Sequence, residues 1–354
     1  MSIQYDSLSN CIDHIKNGKL VAFPTETVYG LGANIFNINA INNIYNVKER
    51  PTTDPLIVHI DKLSRINEWK LVNINEIEFN ILQEINEKFW PGPITVILKA
   101  SNNVPTEITG NTGNIGIRIP DSKDALNLIE RSGVPIAAPS ANKFSHISPT
   151  HSSHVEDDFK DQQILKDPIY ILESEYNLRK IGIESTIVKI NNKVLTILRP
   201  GYITSEDLSK LKDIKIEYNI KHIQEDCVDN NPESSGQFIK HYATNCNTII
   251  ISTKREINIE DLPIQSNIGL IDIGNISNNL KKQVKYYDNL SNSSNIDESV
   301  RSYYSKLRLF EKFNNDNVID ILYIVHNKML NNIKYDSLFD RIYRSASGNI
   351  INLI

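Results

Sequence analysis

Short apolar runs alternate with longer amphipathic stretches along nearly the whole chain, and this alternation restricts the fold to a layered α/β architecture. Leu20–Phe23, Leu56–Ile60, Ile94–Leu98, Ile115–Ile119, Pro135–Ala138, Tyr170–Leu172 and Ser185–Ile190 read as strands. Between them, Asp6–Asn17, Asn39–Val47, Glu76–Phe89 and Lys123–Arg131 carry apolar residues at helical spacing. Ser7 or Asp6 can cap the first helix and Gly18 can end it. A further helix is expected after Ser148-Pro149-Thr150. Ser185–Ile190 is expected to pair with Val194–Leu198 through Asn191-Asn192, a hairpin signal.

The pattern breaks after about residue 215. Lys221–Ser235 is polar, acidic and turn-rich, and reads as a linker. Regularity returns with strands at Ile249–Ile251, Ile268–Ile273 and Ile319–Val325 and helices at Ser299–Phe313 and Ser337–Ser345. The expected division is 1–215, a linker at 216–246 and a small α/β unit at 247–354, as suits a chain of 354 residues. A net charge of −5 argues against a protein that coats nucleic acid by bulk electrostatics. Cys11, Cys227 and Cys246 show neither metal-ligand spacing nor a disulfide framework, which points to a reducing compartment. No run approaches the roughly 18–20 apolar residues of a membrane span. Residues Met1–Lys19 lack the pattern of a signal peptide. A cytoplasmic location is therefore expected.

Chemistry-bearing residues gather where strands end. Lys48 and Arg50 stand before Pro51, and Ser140 and Asn142 follow the strand Pro135–Ala138. Lys48 and Arg50 are expected on an exposed loop at a strand edge, where open α/β sheets bind ligands. Two cations with a hydroxyl and an amide suit a polyphosphate, although an isolated Lys-x-Arg is usually a solvated helix end. Thr25, Glu26 and Thr27 form a polar cluster before Tyr29-Gly30-Leu31-Gly32, a turn-rich segment whose glycines would let backbone approach a ligand. It is neither a Walker loop nor a dinucleotide fingerprint. His59 ends a strand, where a lone histidine is more often structural than catalytic. Arg118 lies inside an apolar strand; facing inward, it would need an anion partner such as a substrate carboxylate. Arg199 ends the hairpin with the same ambiguity. No metal-ligand cluster is visible.

Singly these motifs are weak; their order is specific. Pro-Thr-Glu-Thr-Val-Tyr-Gly-Leu-Gly, Lys-x-Arg-Pro, Pro-Leu-x-Val-His-Ile, Trp-Pro-Gly-Pro-x-Thr, Arg-x-Pro, Ala-Pro-Ser-Ala-Asn, Glu-Ser-Thr-Ile-Val and Leu-Arg-Pro-Gly occur in succession. In this the chain resembles the YrdC-like family, specifically the threonylcarbamoyl-AMP synthases that carry an extra C-terminal domain. Ser235–Ala243 looks like the family's interdomain motif, and Phe339–Ala346 like its terminal helix. Departures are Glu49 in place of a small residue, the loop Lys143–His146 without Ser-Gly, no proline before Gly236, and Thr244 in place of a proline.

The resemblance implies a YrdC-like twisted mixed sheet with flanking helices, followed by a linker and a small Rossmann-like α/β domain. It implies synthesis of threonylcarbamoyl-AMP and pyrophosphate from L-threonine, bicarbonate or carbon dioxide, and ATP. The product would pass to a separate tRNA threonylcarbamoyl transferase. By analogy Lys48, Arg50, Ser140 and Asn142 hold the triphosphate, and Thr52, Ser148, Arg199 and Tyr242 complete the nucleotide site. Thr25, His59, Arg118, Ser185 and the Ala138 backbone hold L-threonine. Magnesium would ride on the ATP phosphates without a protein cage. Lys221–Ala243 would fold over the nucleotide as a lid, and tRNA contact would be weak. The competing readings are a double-stranded RNA or tRNA-binding module and a carbamoyl-phosphate-using enzyme. The acidic charge disfavours the first; the absence of zinc-finger cysteine pairs and of a carbamoyl-cleaving domain disfavours the second.

Overall fold

The apolar runs fold as strands of two sheets. The computed structural model describes residues 2–173, 181–221, 232–264, 266–330 and 332–353. Contacts divide the chain into a first unit (Met1–Phe144, Ser148–Lys180, Glu184–Gln237) and a second (Phe238–Ile354 with Ser145–Ile147 and Ile181–Ile183).

The first unit is built on β1 (Ile3–Asp6), β2 (Val21–Phe23), β3 (Gly30–Asn34), β4 (Ile57–His59), β5 (Ile94–Lys99), β6 (Asn114–Arg118), β7 (Ile136–Ala137), β8 (Ile169–Leu172), β9 (Thr186–Asn191), β10 (Val194–Arg199) and β11 (Lys215–Tyr218). They form one mixed sheet in the order β1-β8-β2-β3-β7-β4-β6-β5-β9-β10-β11. Helices Ile38–Lys48 and Glu76–Phe89 bury Ile41, Ile44, Leu82 and Ile85 in one core cluster. Helices Leu8–Lys16 and Lys123–Ser132 bury Ile12, Ile15, Leu128 and Ile129 in another. Apolar residues at i, i+3 and i+4 face the sheet in each helix, as their spacing predicts. The hairpin forms as β9 and β10, pairing Asn191 with Val194.

Two expectations change. Gly30–Gly32 is strand, not a ligand-facing turn: a Cβ on Gly32 would meet the Phe23 ring at 2.6 Å and Ile136 Cγ2 at 2.9 Å. The glycine is needed for close packing against an aromatic ring. The expected linker does not stand apart. Its start is β11, paired in parallel with β10, and Glu233 binds Lys189 and Lys221 at 2.9 Å each. Phe238 onward belongs to the second unit. The middle of the expected lid, residues 222–231, and Cys227 with it, lie outside the described residues.

The second unit holds β12 (Asn247–Thr253), β13 (Ile268–Asp272), β14 (Tyr286–Asn289), β15 (Ile321–Asn327) and β16 (Ile350–Asn352), an all-parallel sheet in the order β14-β13-β15-β12-β16. Helices Ile296–Asn315 and Ile333–Ser345 connect its later strands. Arg344, buried on the latter, donates to the Phe238 carbonyl at 2.6 Å and pairs with Asp340 at 3.1 Å. Arg341 lies 5.4 Å from the centre of the Tyr242 ring. The terminal motif thus holds the Phe238–Ala243 run.

Candidate active site

Two groups of buried polar residues in the first unit gather around the ends of β4, β6 and β7. The first starts at the C-terminus of helix Ile38–Lys48, where Glu49 adopts left-handed geometry (φ 58°). Lys48 is 1% exposed, and its Nζ donates to the carbonyls of Ser140, at 2.7 Å, and Asn142. Phe144 N donates back to the Lys48 carbonyl at 2.8 Å. The run Ser140–Phe144 is therefore fastened to the helix end. Burial, and then the charge of Arg50, push the Lys48 ammonium well below the usual lysine range.

Arg50 is 7% exposed, with Nη2 2.9 Å from Asp54 Oδ2. It also donates to the backbone carbonyls of Asp54, at 3.2 Å, and Pro55, at 3.0 Å. Burial pushes the Asp54 carboxyl up to about 6, with Arg50, Lys48 and Arg199 pulling the other way. The expected exposed position of Lys48 and Arg50 is thus corrected. Carbonyls and a carboxylate take the place of water around both cations, so they can be enclosed.

In the second group, the parallel pairing of β4 and β6 sets His59 opposite Arg118. Arg118 Nη2 donates to Glu26 Oε1 at 2.6 Å and to Thr27 Oγ1 at 3.0 Å. Burial, followed by the Arg118 charge, pushes His59 down to about 3, so its imidazole is neutral. Thr25 Oγ1 donates to the Val28 carbonyl at 2.7 Å and accepts from the amides of Thr27 and Val28, both at 3.2 Å. It shapes the turn that presents Glu26 and Thr27. The Ala138 N–H is engaged by the Ile57 carbonyl at 2.9 Å, so any ligand contact from that backbone falls to its carbonyl.

Further along the sheet, Arg199 Nη2 donates to Ser185 O at 3.0 Å and Oγ at 3.2 Å, and Ser185 Oγ lies 2.8 Å from Thr95 Oγ1. Arg199 Nη1 also donates to the Ser235 carbonyl at 3.4 Å. Ser148 Oγ donates to Glu184 Oε1 at 2.5 Å. Thr52 lies in an exposed turn. Tyr242 belongs to the second unit, where its fully buried ring lies against His241, Tyr304 and Arg341.

Asp54, Glu184, Glu26 and Thr95 were not among the expected site residues. Asp54 is four residues after Arg50, Glu184 precedes Ser185, and Glu26 lies within the first motif, so each carried a local signal. Thr95 reads in sequence as one more residue of an apolar strand.

Fold and site together define a YrdC-type α/β protein with a parallel-sheet C-terminal unit. Residues 13–201 match a family model described as "Telomere recombination", and residues 203–347 one described as "Threonylcarbamoyl-AMP synthase, C-terminal domain". A threonylcarbamoyl-AMP synthase of Pyrococcus abyssi is 36% identical over 245 residues, covering 68% of this chain and 67% of that one. One of Bacillus subtilis is 30% identical over 343 residues, covering 95% and 92%. The crystal structure of P. abyssi Sua5 complexed with L-threonine superposes with a TM-score of 0.81 at 28% identity, covering 99% of each chain. The chain belongs to the threonylcarbamoyl-AMP synthase family, in the form that carries the C-terminal domain.

Proposed function

We propose that the chain is an L-threonylcarbamoyladenylate synthase, a nucleotidyltransferase using L-threonine, bicarbonate or carbon dioxide, and ATP. The observation that carries this reading is the enclosure of Lys48 and Arg50 at a helix end and of Arg118 at a strand end, in a chain of this family. Cations held in place by carbonyls and by the carboxylates of Asp54 and Glu26 can direct remaining donors at the anionic groups of substrates.

The threonine ammonium would give one proton to solvent, its nitrogen would bond to the carbon of carbon dioxide, and a second proton would pass to solvent, leaving an N–H carbamate. A carbamate oxygen would then attack the α-phosphorus of ATP, the bond to the β-phosphate would break, and pyrophosphate would leave. The protein's part is to hold two anions together and to offset their charge. An ammonium has three N–H donors. Lys48 directs its bonds to the carbonyls of Ser140 and Asn142 and keeps a further donor for a phosphate oxygen. Arg50, Ser140 and Asn142 would share the triphosphate, with Thr52, Ser148 and Arg199 on the rest of the nucleotide. Arg118 would take the threonine carboxylate, neutral His59 would add a hydrogen bond without charge, and Ser185, Thr25 and Ala138 would complete that pocket.

Among the described residues no cluster of three or more His, Cys, Asp or Glu could hold a metal ion. Magnesium would be carried by phosphate oxygens and water, where it would offset phosphate charge. The product would pass to a tRNA-modifying transferase, with weak tRNA contact by this acidic chain. No helix among the described residues is long and apolar enough to cross a membrane.

The test is pyrophosphate release with ATP, magnesium and bicarbonate, with and without L-threonine. Release that depends on L-threonine and on bicarbonate supports the reading. Release indifferent to both, or none at all, overturns it.

A further inference from the structure

Glu26 is 1% exposed. Its Oε1 binds Arg118 Nη2, but its Oε2 is buried without a hydrogen-bond partner among the described residues. Arg118 Nε is buried and unpartnered in the same way. One vacant acceptor on an anion thus accompanies one vacant donor on a cation. Each vacancy in a protein interior is destabilising, because the group has lost water without gaining a partner. Together they call for a ligand that brings both a donor and an acceptor.

The charges narrow the ligand further. Glu26 and Arg118 offset one another, and His59 beside them is neutral. A ligand with a single net charge would leave one buried charge uncompensated, which is strongly unfavourable. A zwitterion would not, and the α-ammonium and α-carboxylate of an amino acid are such a pair. Thr25 and Thr27 hold the turn that carries Glu26, and Thr27 also accepts from Arg118.

We infer that Glu26 receives the α-ammonium of the amino acid whose α-carboxylate binds Arg118. This rests on the reading that the site takes L-threonine. Glu26 is then the residue that selects an amino acid over the corresponding hydroxy acid. Once the amine has become a carbamate, the attraction turns to repulsion, and the new anion is favoured to point away from Glu26.

Calorimetric titration of the full chain tests this without turnover. The ligands are L-threonine and its analogue with a hydroxyl in place of the amine. The wild type should bind L-threonine at least about tenfold more tightly than the analogue. Glu26→Gln should lose about tenfold or more for L-threonine but less than about twofold for the analogue. Equal losses for both ligands would show that Glu26 only braces Arg118, and unchanged affinity for L-threonine would show no role at all; either overturns the inference. Should the glutamine variant fail to fold, Glu26→Asp keeps the charge and must keep the preference for the amine; losing it also overturns the inference. A wild type that does not bind L-threonine sinks the synthase reading itself, an outcome distinct from binding without discrimination.

Discussion

A lysine ammonium can be enclosed by protein when carbonyl oxygens replace the water it has lost, and Lys48 has two, from Ser140 and Asn142. This arrangement couples charge to loop geometry. Lys48→Ala should lower pyrophosphate release by about 100-fold or more. It should also cost about 1–3 kcal/mol in urea denaturation, because two carbonyls lose a donor. Near-normal turnover in that variant would remove Lys48 from the site. His59 offers a pH test. Its folded-state value of about 3 lies below the roughly 6.5 of an unfolded histidine. The unfolded chain therefore binds the extra proton, and stability falls as pH drops below about 6.5, by up to about 1.4 kcal/mol per pH unit until about 3. His59→Gln should shrink the difference between urea midpoints measured at pH 7 and pH 5. An unchanged difference would mean that His59 is not held neutral.

Strand ends position Thr25, His59, Arg118, Ala138, Ser185 and Arg199, so the sheet's geometry sets the spacing of these candidate residues. β7 has two residues, yet it joins β3 to β4 and delivers Ala138-Pro139-Ser140. The close approach at β3 depends on Gly32, whose added Cβ would fall 2.6 Å from the Phe23 ring. Gly32→Ala should cost about 1–3 kcal/mol and weaken ATP binding, since overpacking here shifts the strand that bridges to Ser140. Unchanged thermal and urea midpoints would show that the ring can yield. The glycine pair was legible as a motif but not as a strand, because strand patterns are read from side-chain alternation and glycine supplies none.

At the scale of the whole molecule, two short stretches of the first unit's sequence belong to the second. Ser145–Ile147 follows Asn142 and precedes Ser148, and Ile181–Ile183 precedes Glu184-Ser185. His146 Nε2 lies 2.9 Å from both oxygens of Glu311, and Ala243 N donates to the Ser145 carbonyl at 2.8 Å. A chain ended after Gln237 lacks Glu311 and Ala243. Its large sheet should stay protected in hydrogen exchange while the amides of residues 143–149 exchange faster, and pyrophosphate release should fall. Full activity in that shortened chain would show that the second unit does not support these loops.

The amino-acid sequence by itself determined the α/β layering, the separate second unit and the order of motifs that marks the family, because periodicity and motif order are local or linear properties. It also placed His59, Arg118, Ser140 and Ser185 at or beside strands. Tertiary structure decided which polar groups meet. Lys48 reaches Ser140 and Asn142, and Arg118 reaches Glu26, across more than ninety residues. Burial, not sequence, made His59 neutral and raised Asp54. Tyr242 reads in sequence as a linker residue, whereas in the fold Arg341 of the terminal helix lies over its buried ring. Desolvation and long-range pairing depend on what the folded chain brings alongside each group, and neither leaves a local pattern.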